Sequence, residues 1–163
     1  MRGTTADVAQ ATLFDTLKDG LLRFFLVRGL THADALDAIS DTFCVVVAKW
    51  QSRNSAASQR AWVFGIARNK VRERRRSRRN SSVVSLVGDE RELADAPHQS
   101  DWWDVVELLR ALSVAEREAV ELVYIADLTP EEAAEILGIS RSAVYERIRS
   151  ARAKLGKEAQ HVA

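Results

Sequence analysis

Between Ser140 and Lys157, six basic side chains (Arg141, Arg147, Arg149, Arg152, Lys154 and Lys157) stand against one acid, Glu146. Cations at this density neutralise phosphates, and a guanidinium that reaches a base edge can donate paired hydrogen bonds to guanine. A second basic set runs from Arg60 to Arg79, where nine basic residues (Arg60, Arg68, Lys70, Arg72, Arg74, Arg75, Arg76, Arg78 and Arg79) meet only Glu73, for a net +8. A third candidate is the pair Asp37 and Asp41, four residues apart and so on one outward face of a helix. Taken alone, two outward acids read as a solvated face. No nucleophile–base pair and no cluster of metal-binding carboxylates accompanies these groups, and His32, His98 and His161 are scattered singly. No metal or cofactor is expected, and the chain does not read as an enzyme.

The first set needs a rigid helix to present it, and the residues before it supply one. Thr129, Pro130 and Glu132 form a capping box with proline at the first helical position, where its missing N–H costs nothing. Ala133, Ala134 and Leu137, with Ile136 beside them, line the inner face of a short helix that Gly138 ends in the left-handed conformation. Ser140 caps a second helix whose inner face is Val144, Ile148, Ala151 and Leu155. Two helices joined by a short glycine turn, with small residues where they cross, predict a helix-turn-helix whose second member enters the major groove. An ordinary helical hairpin with a basic solvated face is the plainer alternative. The coincidence of cap, glycine, small residues and charge favours the reader.

Elsewhere the spacing is helical throughout. Residues 7–28 carry a broad apolar face from Leu13 to Val27, with a kink or break expected at Asp19-Gly20, and Gly29 closes the helix. Thr31 caps the next helix, whose core face is Leu36, Ile39, Phe43, Val46, Val47 and Trp50. Residues 51–58 form a polar loop. A third helix starts near Gln59 with Trp62, Val63, Phe64, Ile66, Ala67 and Val71 apolar, and runs into a tail too charged to bury. Trp62 reads equally as a core residue or as a stacking platform beside basic phosphate contacts, whereas Phe64 reads better as core. Residues 80–100 lack periodicity and form a linker, extended or partly ordered on a partner. Helix resumes at Asp101, and Ser113 with Glu116 is another capping box opening a helix through Ile125. The fold class is all-α, in two small helical domains at residues 7–79 and 101–158, joined by the flexible acidic linker 80–100.

The overall net charge of +1 conceals a basic–acidic–basic segmentation, since residues 81–107 carry seven acids against Arg91 and 140–157 balance at +5. Two basic surfaces separated by an acidic stretch suggest two contacts along one polyanion. Apolar content of 47% over 163 residues suffices for globular cores. Cys44 is the single cysteine, so no internal disulfide forms. No apolar run approaches a membrane span of about 20 residues. The N-terminus meets acids where a signal peptide needs its apolar region, so a soluble cytoplasmic protein is expected.

In order and separation, four stretches resemble the extracytoplasmic-function sigma factors of bacterial RNA polymerase, over about residues 10–157. LLRF (Leu21 to Phe24) and DALDAISDTF (Asp34 to Phe43) resemble the family's core-polymerase-binding segment. RAWVFGIARN (Arg60 to Asn69) resembles its promoter-melting helix. ALSVAEREAVELVYIADLTPEEAAEILGIS (Ala111 to Ser140), ending in RIRSARAKL, resembles its promoter-reading domain. The resemblance implies that Asp37, Asp41 and Phe43 meet the clamp of the largest polymerase subunit. It further implies that Arg53, Asn54, Arg60, Trp62, Arg68 and Asn69 serve minus-ten binding and melting, with the loop 51–58 capturing a flipped base. Arg141, Ser142, Tyr145, Arg147, Arg149 and Arg152 would meet the minus-thirty-five element. The linker would thread towards the active-site cleft and RNA exit path. Ser40, Val45 to Val47, Ser113, Tyr145 and Glu146 depart from the family's usual residues, so core affinity and upstream preference are expected to be particular to this chain.

The reading is a promoter-specificity subunit that binds core polymerase, directs it to promoter DNA and helps separate the strands. Its partners are core polymerase, promoter DNA and an anti-sigma protein, with no membrane contact of its own. A lone helix-turn-helix regulator is the alternative, but it has no need of RAWVFGIARN or an acidic linker. A nucleic-acid-processing enzyme would need catalytic groups that the sequence lacks.

Overall fold

A computed structural model describes residues 4–54, 57–80 and 99–162, and every regular element among them is helical. By contacts the chain divides into two compact units, Met1–Gly88 and Asp89–Ala163. Residues 81–98 of the expected linker lie outside the described residues.

The first unit holds α1 (Thr5–Val27), α2 (His32–Ala48), a 3-10 turn (Trp50–Ser52) and α3 (Gln59–Asn80). Thr4 opens α1 with a capping box to Asp7. The helix is continuous through Asp19-Gly20, so the break allowed for there does not form. A glycine costs about 1 kcal/mol against alanine in a helix. Burying Leu17, Leu21, Phe24 and Phe25, at about 1.5–3 kcal/mol each, outweighs that cost. Gly29, at φ +87°, then turns the chain. Thr31 caps α2 by accepting from the Asp34 N–H at 3.1 Å. All three helices pack on one another around edge-to-face rings, with Phe24 and Phe64 centroids 5.6 Å apart. Thr42, fully buried, donates its hydroxyl to Ala38 O at 2.7 Å. Its polar group therefore costs the core little. The charged tail stays helical through Asn80 because arginine is a good helix former and Arg78 and Arg79 sit in the last turn, where the dipole favours cations.

In the second unit are α4 (Gln99–Arg110), α5 (Val114–Val120) running into a π-helical turn (Glu121–Ile125), α6 (Pro130–Leu137) and α7 (Arg141–Val162). The start of α4 at Gln99 rather than Asp101 is within the ordinary fraying of helix ends. Arg117 takes up carbonyls at the end of α4 and in the turn after it, donating from Nε to Leu109 O at 2.9 Å and from Nη2 to Leu112 O at 3.3 Å. The core joins Leu109, Leu112, Ala119, Leu122, Leu128, Ala133, Val144, Ile148 and Ala151. Among the described residues no helix is long and apolar enough to cross a membrane.

Candidate nucleic-acid and polymerase interfaces

The turn that sets α7 follows from four local devices. Thr129 Oγ1 accepts from the Glu132 N–H at 3.2 Å while the Thr129 N–H donates to Glu132 Oε2 at 2.9 Å. Pro130 fills the first helical position, Gly138 takes φ +65°, and Ser140 Oγ accepts from the Ala143 N–H at 3.1 Å. Ala133 and Ala134 are buried where the two helices pack, and Ile136 and Leu137 are half-buried.

With Val144, Ile148 and Ala151 turned inward, Ser142, Tyr145, Glu146 and Arg149 recur at three- and four-residue spacings on the exposed side. Arg149 Nη1 pairs with Glu146 at 3.3 Å. Arg141 lies to one flank, its Nε 2.9 Å from Glu131 Oε1 and its guanidinium 5.4 Å from the Tyr145 ring centroid. Arg152 shares that flank and lies 5.6 Å from the centroid of Tyr124, whose hydroxyl accepts a hydrogen bond from it. Arg147 is half-buried on the other flank, with no ion pair among the described residues. Exposed pairs such as these contribute roughly 0–1 kcal/mol, so phosphates can displace the carboxylates readily.

Glu116 fixes this helix from beneath. Only 7% exposed, it accepts from Ser150 Oγ at 2.6 Å, Lys154 Nζ at 2.8 Å and the Ser113 N–H at 2.9 Å. The Lys154 ammonium, then the Ser150 hydroxyl and the Ser113 N–H, hold its carboxyl down at about 2. Ser150 and Lys154 are thereby committed to holding α7 against α5.

In the first unit the outward acids of α2 differ from each other. Asp37 is exposed, with no partner among the described residues. Asp41 Oδ2 lies 3.4 Å from Arg74 Nη2. Arg74 also approaches Asp34 at 3.7 Å, and Arg78 lies 3.4 Å from Asp34. Phe43 turns inward, 9% exposed, its ring edge-on to Phe14 at 4.7 Å. The expectation that Phe43 meets a partner directly does not fit this placement, because its apolar ring gains more from the core. Trp62 is half-buried, 6.4 Å from the buried Trp50 ring, whereas Phe64 is fully buried. Arg53 lies over the Trp50 face at 3.8 Å and donates to Trp50 O. Its guanidinium thus braces the start of the loop. Asn54 and Asn69 are exposed, and Arg60 and Arg68 half-buried.

Residues 103–155 match the family described as Sigma-70, region 4. The RNA polymerase sigma factor CnrH of Cupriavidus metallidurans is 33% identical over 144 residues, covering 78% of this chain and 74% of the relative. The RNA polymerase sigma factor NccH of Alcaligenes xylosoxydans xylosoxydans is 32% identical over 143 residues, with the same two coverages. The ECF RNA polymerase sigma factor EcfG of Rhodopseudomonas palustris is 29% identical over 153 residues, covering 88% of this chain and 84% of its own. This chain belongs to the extracytoplasmic-function sigma factors. A solved CnrH, in complex with the cytosolic domain of CnrY, resembles this sigma factor at TM-score 0.74 and 26% identity, covering 96% of this chain and 91% of its own. The sigma factor RpoE in complex with the anti-sigma factor NepR from Bartonella quintana does so at TM-score 0.72 and 25% identity, covering 92% and 96% respectively.

Sequence reasoning missed two residues of this sigma factor's surfaces. Asp34 stands in the sequence only as the first residue of DALDAISDTF, yet it also receives Arg74 and Arg78. Tyr124 reads as one more apolar position, yet it is 50% exposed. A basic tail following a helix with three acids on one side was the available signal for the first. For the second the signal was the spacing, since Tyr124 stands two residues from Leu122 and so on the opposite face of a helix.

Proposed function

We propose that this sigma factor meets polymerase and promoter through separate faces. In the second unit, taken as a region-4-like domain over 101–158, α7 reads the minus-thirty-five element. Tyr145 and Arg149, with Ser142, address base edges, while Arg141, Arg147 and Arg152 on the flanks address phosphates. The first unit, taken as a region-2-like domain over 7–79, offers Asp37 and Asp41 to the clamp of the core enzyme, with Phe43 holding α2 in shape. Arg60, Trp62, Arg68 and Asn69 of α3, with Arg53 and Asn54 bordering the loop, serve minus-ten binding and opening. The acidic linker 80–100 lies between. An anti-sigma protein is part of this reading, on the likeness to a sigma factor solved with one.

The observation that carries the reading is the capped α7. A buried seam of Val144, Ile148 and Ala151 holds an exposed side bearing Ser142, Tyr145 and Arg149, with arginines on both flanks. The lone-regulator alternative is disfavoured, because the sigma-factor relatives align over 78% of the chain.

The test is to assemble the full chain with core polymerase and sequence the promoter fragments it retains. Arg149→Ala and Tyr145→Ala should shift the preferred upstream sequence, each lost contact removing about 1–3 kcal/mol of discrimination. Arg147→Ala should weaken all promoters alike and lower the salt slope by about 1. Retention of no discrete promoter set, or one unchanged preference in all three variants, would sink the assignment.

A further inference from the structure

We propose that Tyr124 is a positioning residue for promoter binding: from the π-helical turn it holds Arg152 extended towards a backbone phosphate. The inference rests on the reading of α7 as the upstream DNA reader. It adds a residue from outside the helix-turn-helix.

The argument begins with what the cations of α7 are paired to. Arg141 sits on Glu131, Arg149 on Glu146 and Lys154 on Glu116. Each of those charges is partly cancelled by a carboxylate. Arg152 has no carboxylate among the described residues. Its contacts are the hydroxyl and ring of Tyr124. A phenol orients a guanidinium fork without neutralising it, so the full charge remains available to an anion. Having accepted from Arg152, the phenol still holds its own O–H to donate, which suits a phosphate oxygen that can take both groups.

The second strand of the argument is where the tyrosine comes from. The wide turn Glu121–Ile125, closed by the Ala126 N–H on Glu121 O at 2.9 Å, interrupts the helical register of α5. Such turns cost helical regularity and are frequent at functional sites. Tyr124, two residues beyond the fully buried Leu122 and so on the opposite face, stands half in water beside α7. Arg152 is eleven residues, about three turns, beyond Arg141 and so lies on the same flank of the reading helix. A flank residue meets the wall of the groove, where the backbone runs.

The experiment compares the full chain and its Tyr124→Phe, Arg152→Ala, doubly substituted and Arg149→Ala variants. Each is assembled with core polymerase on the promoter duplex that the unaltered protein selects, over a range of salt concentrations. Tyr124→Phe keeps the ring and removes only the hydroxyl. The expected result is a several-fold loss of affinity for selected and altered upstream sequences alike, with the salt slope lowered by up to about 1. The double variant should be no worse than Arg152→Ala, because the two residues act as a unit. An unmoved slope in Tyr124→Phe, whether or not its melting temperature falls, makes the tyrosine a packing residue and overturns the proposal. Additive losses overturn it as well. If Arg149→Ala changes upstream preference while Arg152→Ala does nothing, the inference fails and the reading of α7 stands. If neither arginine matters, the reading of α7 fails and takes the inference with it.

Discussion

Glu116 ties α5 to α7, and its proton has a readable consequence. Lys154 first, then Ser150 and the Ser113 N–H, depress its carboxyl from the ordinary 4.5 to about 2. A group depressed on folding stabilises fully above its unfolded value and loses that contribution as pH falls through the folded one. The window is therefore from about 4.5 down to about 2. Glu116→Gln should melt lower than the unaltered chain at neutral pH, and the difference should shrink on acidification across that window. Melting curves at several pH values check this, and a difference that stays constant with pH would remove Glu116 from the account. The capping half of this arrangement was legible, because Ser113 and Glu116 are three residues apart. The other half was not, since Lys154 comes 38 residues later and only packing brings it there.

At the scale of elements, the joint between α6 and α7 depends on the left-handed Gly138. Nothing lies within 4 Å of where a Cβ would stand, so the cost of Gly138→Ala is backbone strain alone. About 1–2 kcal/mol follows, and for a unit of this size about 4–8 °C in melting temperature per kcal/mol. A loss under a degree would show that the turn relaxes to another conformation. Such caps and turns were readable because their partners lie within four residues. The break allowed for at Asp19-Gly20 does not form for the converse reason: a local propensity of about 1 kcal/mol yields to tertiary burial. In α3 the half-buried Trp62 is open to both of its earlier readings, as packing and as platform. Trp62→Ala should lower stability modestly, leave closed-complex formation intact and slow opening, since stacking of an unpaired base contributes about 1–3 kcal/mol. A pre-melted bubble should restore most of the lost thymine reactivity towards permanganate. No rescue, with a large fall in melting temperature, would return Trp62 to the core.

For the whole molecule the question is how a chain of net charge +1 handles a polyanion and a polymerase together. Asp37 is the acid of α2 with no pairing among the described residues, so Asp37→Arg should uncouple the chain from core enzyme through like-charge repulsion while leaving the fold intact. Co-elution with polymerase at the unaltered ratio would exclude that role. Asp41→Arg confounds the test, because it also repels Arg74. The segmentation of charge was plain in the sequence, but the pairing of one segment with another was not, since Asp41 and Arg74 are 33 residues apart. That pairing bears on traffic as much as on affinity. A cation already carrying a carboxylate gains less from a random phosphate than an unpaired cation does, because the stranded carboxylate must recruit a salt ion in return. Arg74 and Arg78 are in this condition, and the acids they hold belong to the helix assigned to polymerase. Under the roles proposed above, genomic DNA met alone would gain less from the α3 tail than a promoter met after polymerase has taken the acids and left Arg74 and Arg78 open.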